Sequence, residues 1–198
     1  MKIVFLDIDG VLNCLNTEER VGCFIGIDDL KVFYLREIVD ATNAQIVLCS
    51  SWKSGWEREL KSQQDREANY LDKMLAAQGL HILDKTFEPN GSSCRGEGIK
   101  LWMSPFKEGD IESFVILDDE VFDYAQEGLL PHLVQSSFYA KQGGLTAELA
   151  ALAIKILNEG PGETQAIPEG FTVCGNCIHK DDCDYRESRD GCYNGEEI

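Results

Sequence analysis

Basic residues are scarce in this chain: Lys and Arg total 18 against 35 Asp and Glu in 198 residues, a formal net charge of −17. That excludes holding nucleic acid by bulk charge neutralisation, which needs Lys and Arg to displace counterions from phosphates. Adhesion to an anionic membrane is disfavoured on the same ground. No apolar run approaches the ~20 residues of a membrane-spanning helix, and the first run, Ile3-Val4-Phe5-Leu6, has no leader-like stretch before it and meets Asp7 at once. A cytoplasmic, reducing setting with no membrane partner is the expectation. Histidine is rare too: His81, His132 and His179 are too dispersed for a Ser-His-Asp hydrolase signature. A glycine-rich P-loop pattern is also absent.

Apolar residues are not lacking, and at 43% of the chain they suffice for a real core. Short β-rich runs at 3–8, 45–49, 81–87, 113–117 and 133–136 alternate with helical patterns at 28–42, 55–78 (one long helix or two), 98–103 and 146–157. Such alternation predicts an α/β fold, Rossmann-like, with a mostly parallel sheet and helices on both faces. Composition then shifts. Residues 1–157 read as the folded domain, 158–172 as a Gly- and Pro-rich linker, and 173–198 as a cysteine-rich tail too small for a core of its own.

Three of the strand patterns finish in polar residues: Asp7-Ile8-Asp9-Gly10, Ser50-Ser51 and Asp118-Asp119. In an open α/β sheet, ligands bind beyond the carboxyl ends of the strands. An extended chain would send Asp7 and Asp9 to one side, with Gly10 letting the backbone bend away. One such end is ordinary turn chemistry; three in one chain point to a site. Carboxylates gathered there make a hard-oxygen cluster suited to Mg²⁺ and to phosphoryl transfer, with one Asp attacking phosphorus and another moving protons.

The segments FLDIDGVLN (5–13), IVLCSS (46–51) and VILDDE (115–120) resemble, in order, three motifs of the haloacid-dehalogenase (HAD) superfamily of phosphatases. Ser50-Ser51-Trp52-Lys53, Arg95-Gly96 and Gly144-Leu145-Thr146 are similar to the HAD domains of the Swiss Army Knife RNA-repair type. The resemblance implies Asp7 as nucleophile, Asp9 as general acid/base, and Ser50 as a hydrogen-bond partner of the transferring phosphoryl group. Ser51 is the substitute for Ser50 should the strand end one residue later, and Lys53 is either a further phosphate contact or a solvated surface charge. Asp7, Asp9 (through its backbone carbonyl), Asp118 and Asp119 are the implied Mg²⁺ set; Asp123 either offers another acid or is a solvated helical residue. The cation that balances them is Lys100, which has the usual residue type, or Arg95, which fits the Arg-Gly pattern.

Too little chain separates these motifs for a separate cap domain, so an essentially capless, open site is expected. Its substrate would be a phosphorylated molecule, with nucleic acid taken only as a phosphorylated end; oligomeric state is left open. The different-class alternative is a non-catalytic module that uses the HAD fold as a scaffold and the tail for docking. In that tail Cys174, Cys177, Cys183 and Cys192 follow the pattern C-x2-C-x5-C-x8-C. An opening CxxC in a short polar segment fits a structural Zn²⁺ site, with an iron–sulfur centre or disulfides as the alternatives.

Overall fold

In chain order the elements are β1 (Lys2–Leu6), β2 (Arg20–Val21), β3 (Phe24–Ile25), α1 (Asp29–Thr42), β4 (Gln45–Leu48), α2 (Arg66–Ala77), β5 (Ile82–Lys85), α3 (Arg95–Met103), β6 (Ser113–Asp118), β7 (Leu133–Gln135) and α4 (Ala147–Glu159). Short 3-10 turns occupy Ser51–Gly55, Lys61–Gln63 and Leu130–His132. This computed structural model describes residues 1–22, 24–87, 90 and 94–162. Cys174, Cys177, Cys183 and Cys192, and with them the expected zinc site, lie outside the described residues.

Side chains alternate between the two faces of the sheet and divide the core in two. Val4 and Leu6 of β1, Ile46 and Leu48 of β4, and Val115 and Leu117 of β6 pack with α1, α2 and α4. Ile3, Phe5, Val47 and Ile116 face the other way, onto Ile99 and Trp102 of α3. Helices thus cover both faces. The sheet order is β5-β4-β1-β6-β7, and every pairing in it is parallel. The chain runs outward from β1 to β4 and β5, then returns to the opposite side of β1 for β6. The switch point therefore lies between β1 and β6, where an α/β sheet opens its ligand crevice.

Caps explain where the helices begin. Asp28, Asp65 and Thr146 each accept a backbone N–H of the first turn, at Leu30, Ala68 and Leu149. The capping by Asp65 also corrects the expectation of helix across 55–78, since only Arg66–Ala77 is α-helical. Gly55 lies so close to the Asp65 carboxylate that any side chain there would collide with it. The residues between are held by side chains instead: Trp56 Nε1, Lys61 Nζ and Gln64 Nε2 converge on Asp72 at 2.9, 2.8 and 2.9 Å. The first helical pattern of the α3 region also starts earlier than expected, at Arg95 rather than Gly98. Between β1 and α1 there is a two-stranded hairpin of β2 and β3. Among the described residues no helix is long and apolar enough to cross a membrane.

Candidate active site

Register places the first two acids. Leu6 of β1 pairs with Leu117 of β6, so Asp7 and Asp118 stand side by side one residue further on. The Asp7 N–H continues the ladder to the Leu117 carbonyl at 2.9 Å. By alternation, Asp7 follows Ile3 and Phe5, and Asp118 follows Ile116, onto the α3 face. Both are buried, at 2% and 0% exposure. Two buried carboxylates in contact with nothing but each other would be untenable, and α3 supplies the counter-charge.

That charge is Arg95, the first residue of α3. Helical side chains tilt toward the N-terminus, so a residue there reaches past the helix end to the strand edge. Its Nη1 lies 2.8 Å from Asp7 Oδ1 and 2.7 Å from Asp118 Oδ2. Burial opposes the guanidinium charge, but Asp7 and Asp118 outweigh it and raise the arginine's pKa. Lys100, the other candidate cation, instead pairs with Glu127 at 3.0 Å and is half exposed.

The loop after β6 fixes this pair from several sides. Asp118 also accepts from Tyr124 Oη at 2.8 Å and from the Glu120 N–H at 3.0 Å. The Arg95 guanidinium carbon sits 4.1 Å from the centre of the Phe122 ring. Phe122 adopts φ 42°, a left-handed conformation costing about 1–3 kcal/mol for a bulky residue, which the ring's contact with Arg95 helps offset. Asp123 is not the solvated acid its sequence context suggests. Its carboxylate accepts from Gly96 N at 2.6 Å and Glu97 N at 3.0 Å, capping α3 from another segment. We expect Asp123→Ala to lower the unfolding free energy in a urea titration by about 1–2 kcal/mol, as loss of a helix cap does.

Asp119 completes the cluster, because Asp7, Asp118 and Asp119 each offer an oxygen within 4.8 Å of the others. Burial, then the charges of Asp118 and Glu120, push Asp119 up to about 7. Burial and the neighbouring Asp118 likewise raise Asp7, against the opposing pull of Arg95. One guanidinium thus faces three carboxylates. A set of hard oxygens left with excess negative charge fits Mg²⁺. Gly10 is the close neighbour that makes room: it adopts φ 80°, and a side chain there would strike the Asp119 carboxylate.

Asp9 is not one of these three acids: it lies beyond the last paired residue of β1, in the turn whose Ile8 carbonyl accepts from the Val11 and Leu12 N–H groups. The two Asp9 oxygens are instead bound by Asn13 and Trp52. Ser50, fully buried at the end of β4, hydrogen-bonds Asp7. Ser51 is exposed at the start of the adjoining 3-10 turn. Lys53, in the same turn, donates to the Cys49 carbonyl at 3.3 Å and the Thr86 hydroxyl at 3.1 Å. Asn13, Phe122, Tyr124 and the capping role of Asp123 were not singled out by sequence reasoning. Asn13 and Trp52 alone carried a signal, as the last residue of FLDIDGVLN and inside Ser-Ser-Trp-Lys.

A family model described as the HAD domain in Swiss Army Knife RNA repair proteins matches residues 3–150. Comparison with curated proteins and with solved structures returned no match.

Proposed function

Because the chain belongs to the family of HAD domains in Swiss Army Knife RNA repair proteins, we propose that it is a Mg²⁺-dependent phosphomonoesterase working through an aspartyl-phosphate on Asp7. The observation that carries this reading is the register-locked pair Asp7 and Asp118, bridged by one Arg95 nitrogen beside the third carboxylate of Asp119. A structural ion pair would need one acid per base; three acids around one base leave charge for a cation and a phosphoryl group to use.

Asp7 attacks phosphorus, and the ester oxygen departs with a proton from Asp9. Water then attacks the aspartyl-phosphate and gives its proton to Asp9, releasing phosphate and restoring Asp7. Arg95 holds Asp7 in place and balances the charge, the role that Lys100 at its Glu127 ion pair is less well placed to fill. Ser50 orients Asp7 and meets the phosphoryl oxygens, with Ser51 and Lys53 at the rim. Asp7, Asp118 and Asp119 are the residues to hold Mg²⁺, joined by the Asp9 main-chain carbonyl. Bound there, the ion offsets repulsion between the carboxylates and the phosphate oxygens.

Among the described residues, the hairpin of β2 and β3 is the sole regular structure between β1 and α1, too small to enclose a substrate. An open site suits a phosphorylated polynucleotide end as well as a small phosphorylated molecule. The charge of −17 limits any nucleic-acid contact to that end. The test is phosphate release from p-nitrophenyl phosphate, nucleotides, sugar phosphates and 3′- or 5′-phosphorylated oligonucleotides, with Mg²⁺ and with EDTA. We expect release with Mg²⁺ and its loss in EDTA. A folded protein that releases phosphate from none of them would be a binding scaffold.

A further inference from the structure

The Asp9 carboxylate is held by two donors from two different segments. Asn13 Nδ2, in the turn after β1, donates to Oδ1 at 2.8 Å. Trp52 Nε1, in the 3-10 turn after β4, donates to Oδ2 at 2.9 Å. Each donor is itself anchored. Asn13 is fully buried, and its own Oδ1 accepts from the Gly10 N–H at 3.0 Å, which leaves Nδ2 to face Asp9. The Trp52 main-chain N–H reaches Ser50 Oγ at 3.4 Å, and its ring packs on the larger core cluster.

One donor would let a carboxyl group pivot about its Cβ–Cγ bond. Two donors on opposite oxygens fix that rotation. Each oxygen keeps a second lone pair, so the group stays able to carry and pass a proton. Orientation is what a proton-transfer group needs, because a small misplacement from the line of the departing oxygen costs orders of magnitude in rate. We infer that Trp52 and Asn13 are positioning residues that together hold the Asp9 carboxyl group in the orientation from which it protonates the leaving oxygen.

This rests on the phosphomonoesterase reading above. In the first half-reaction the Asp7 oxygen–phosphorus bond forms as the phosphorus–ester oxygen bond breaks. The electron pair goes to the ester oxygen, which takes its proton from Asp9. An alkoxide cannot leave readily without that proton, whereas p-nitrophenolate can. A positioning defect at Asp9 must therefore fall on alkyl esters. A general loosening of the site would slow both ester types alike.

The experiment compares kcat/KM, which reports the first half-reaction, for an alkyl monophosphate and for p-nitrophenyl phosphate. Trp52→Phe removes the N–H and keeps a packing ring. We expect it to lower kcat/KM by about 10- to 100-fold on the alkyl ester and by less than about 3-fold on the nitrophenyl ester. Asn13→Ser should show the same contrast and carries the test alone if Trp52→Phe does not fold. Asp9→Asn, with the proton removed altogether, sets the upper limit of the split. Circular dichroism checks that each variant folds. Equal losses on both esters, or no loss on either, overturn the inference while leaving the phosphatase reading intact. The alkyl ester is drawn from the substrates of the panel above that the wild type hydrolyses; a wild-type protein inactive on that whole panel with saturating Mg²⁺ overturns the phosphatase reading, and the inference with it.

Discussion

Asp7→Asn yields a folded protein that releases no phosphate, a fall of roughly four to six orders of magnitude in kcat. The amide has nearly the shape of the carboxylate but no electron pair fit to attack phosphorus. Folding does not suffer equally. Burial and the charges of Asp118 and Asp119 work against an ionised Asp7, so the neutral amide relieves a cost that the native side chain imposes. Arg95 keeps its second partner, Asp118, at 2.7 Å. The urea midpoint of this variant should therefore equal or exceed that of the wild type. Steady-state phosphate release and urea titration, run on the same preparation, check both halves. Undiminished turnover would remove Asp7 from the mechanism.

Arg95→Met should act on folding and turnover together. Both carboxylate contacts come from the one Nη1 atom, so its loss leaves Asp7, Asp118 and Asp119 with no base among them. Breaking a buried pair by removing one partner costs about 3–5 kcal/mol, read as a lower urea midpoint. Arg95→Lys should be milder. An ammonium can serve two oxygens from a single nitrogen, but it loses the planar contact with Phe122, worth about 0.5–2 kcal/mol. Added Mg²⁺ should raise the melting temperature of Arg95→Met more than that of the wild type, since the ion then supplies the only positive charge in the cluster. Equal stability of Arg95→Met and the wild type would argue that the carboxylates are not jointly ionised around this base.

The strands were legible because buried parallel strands are unbroken apolar runs, and the acids that end them stand out. Asp7 and Asp118 could be placed at one sheet edge from Ile3–Leu6 and Ser113–Leu117 alone. The choice between Arg95 and Lys100 could not. It turns on where α3 begins, and that start is set by Asp123, which caps the helix from 27 residues further along the chain. The pattern from Gly98 onward gives no sign of such a distant cap. The partners of Asp9 were out of reach for a local reason: alternation describes only the strand, which ends at Leu6, and Asn13 and Trp52 meet Asp9 from two turns beyond it. Helix across 55–78 failed for a third reason, because the Asp65 cap and the contacts to Asp72 are tertiary facts.

The anchoring of Asp7 differs in kind from that of Asp9. Asp7 hangs from β1, in the middle of the sheet, with its own N–H in the ladder; such amides open only when the sheet does. Asp9 depends on side chains from two turns. Under mild heat or denaturant the turns loosen first, and on the proposed mechanism the two half-reactions then part company. An ester with a good leaving group would still phosphorylate Asp7, but the water step would lack its base. The enzyme would stop as a stoichiometric phosphate trap, holding one phosphoryl group per chain, before it stopped as a fold.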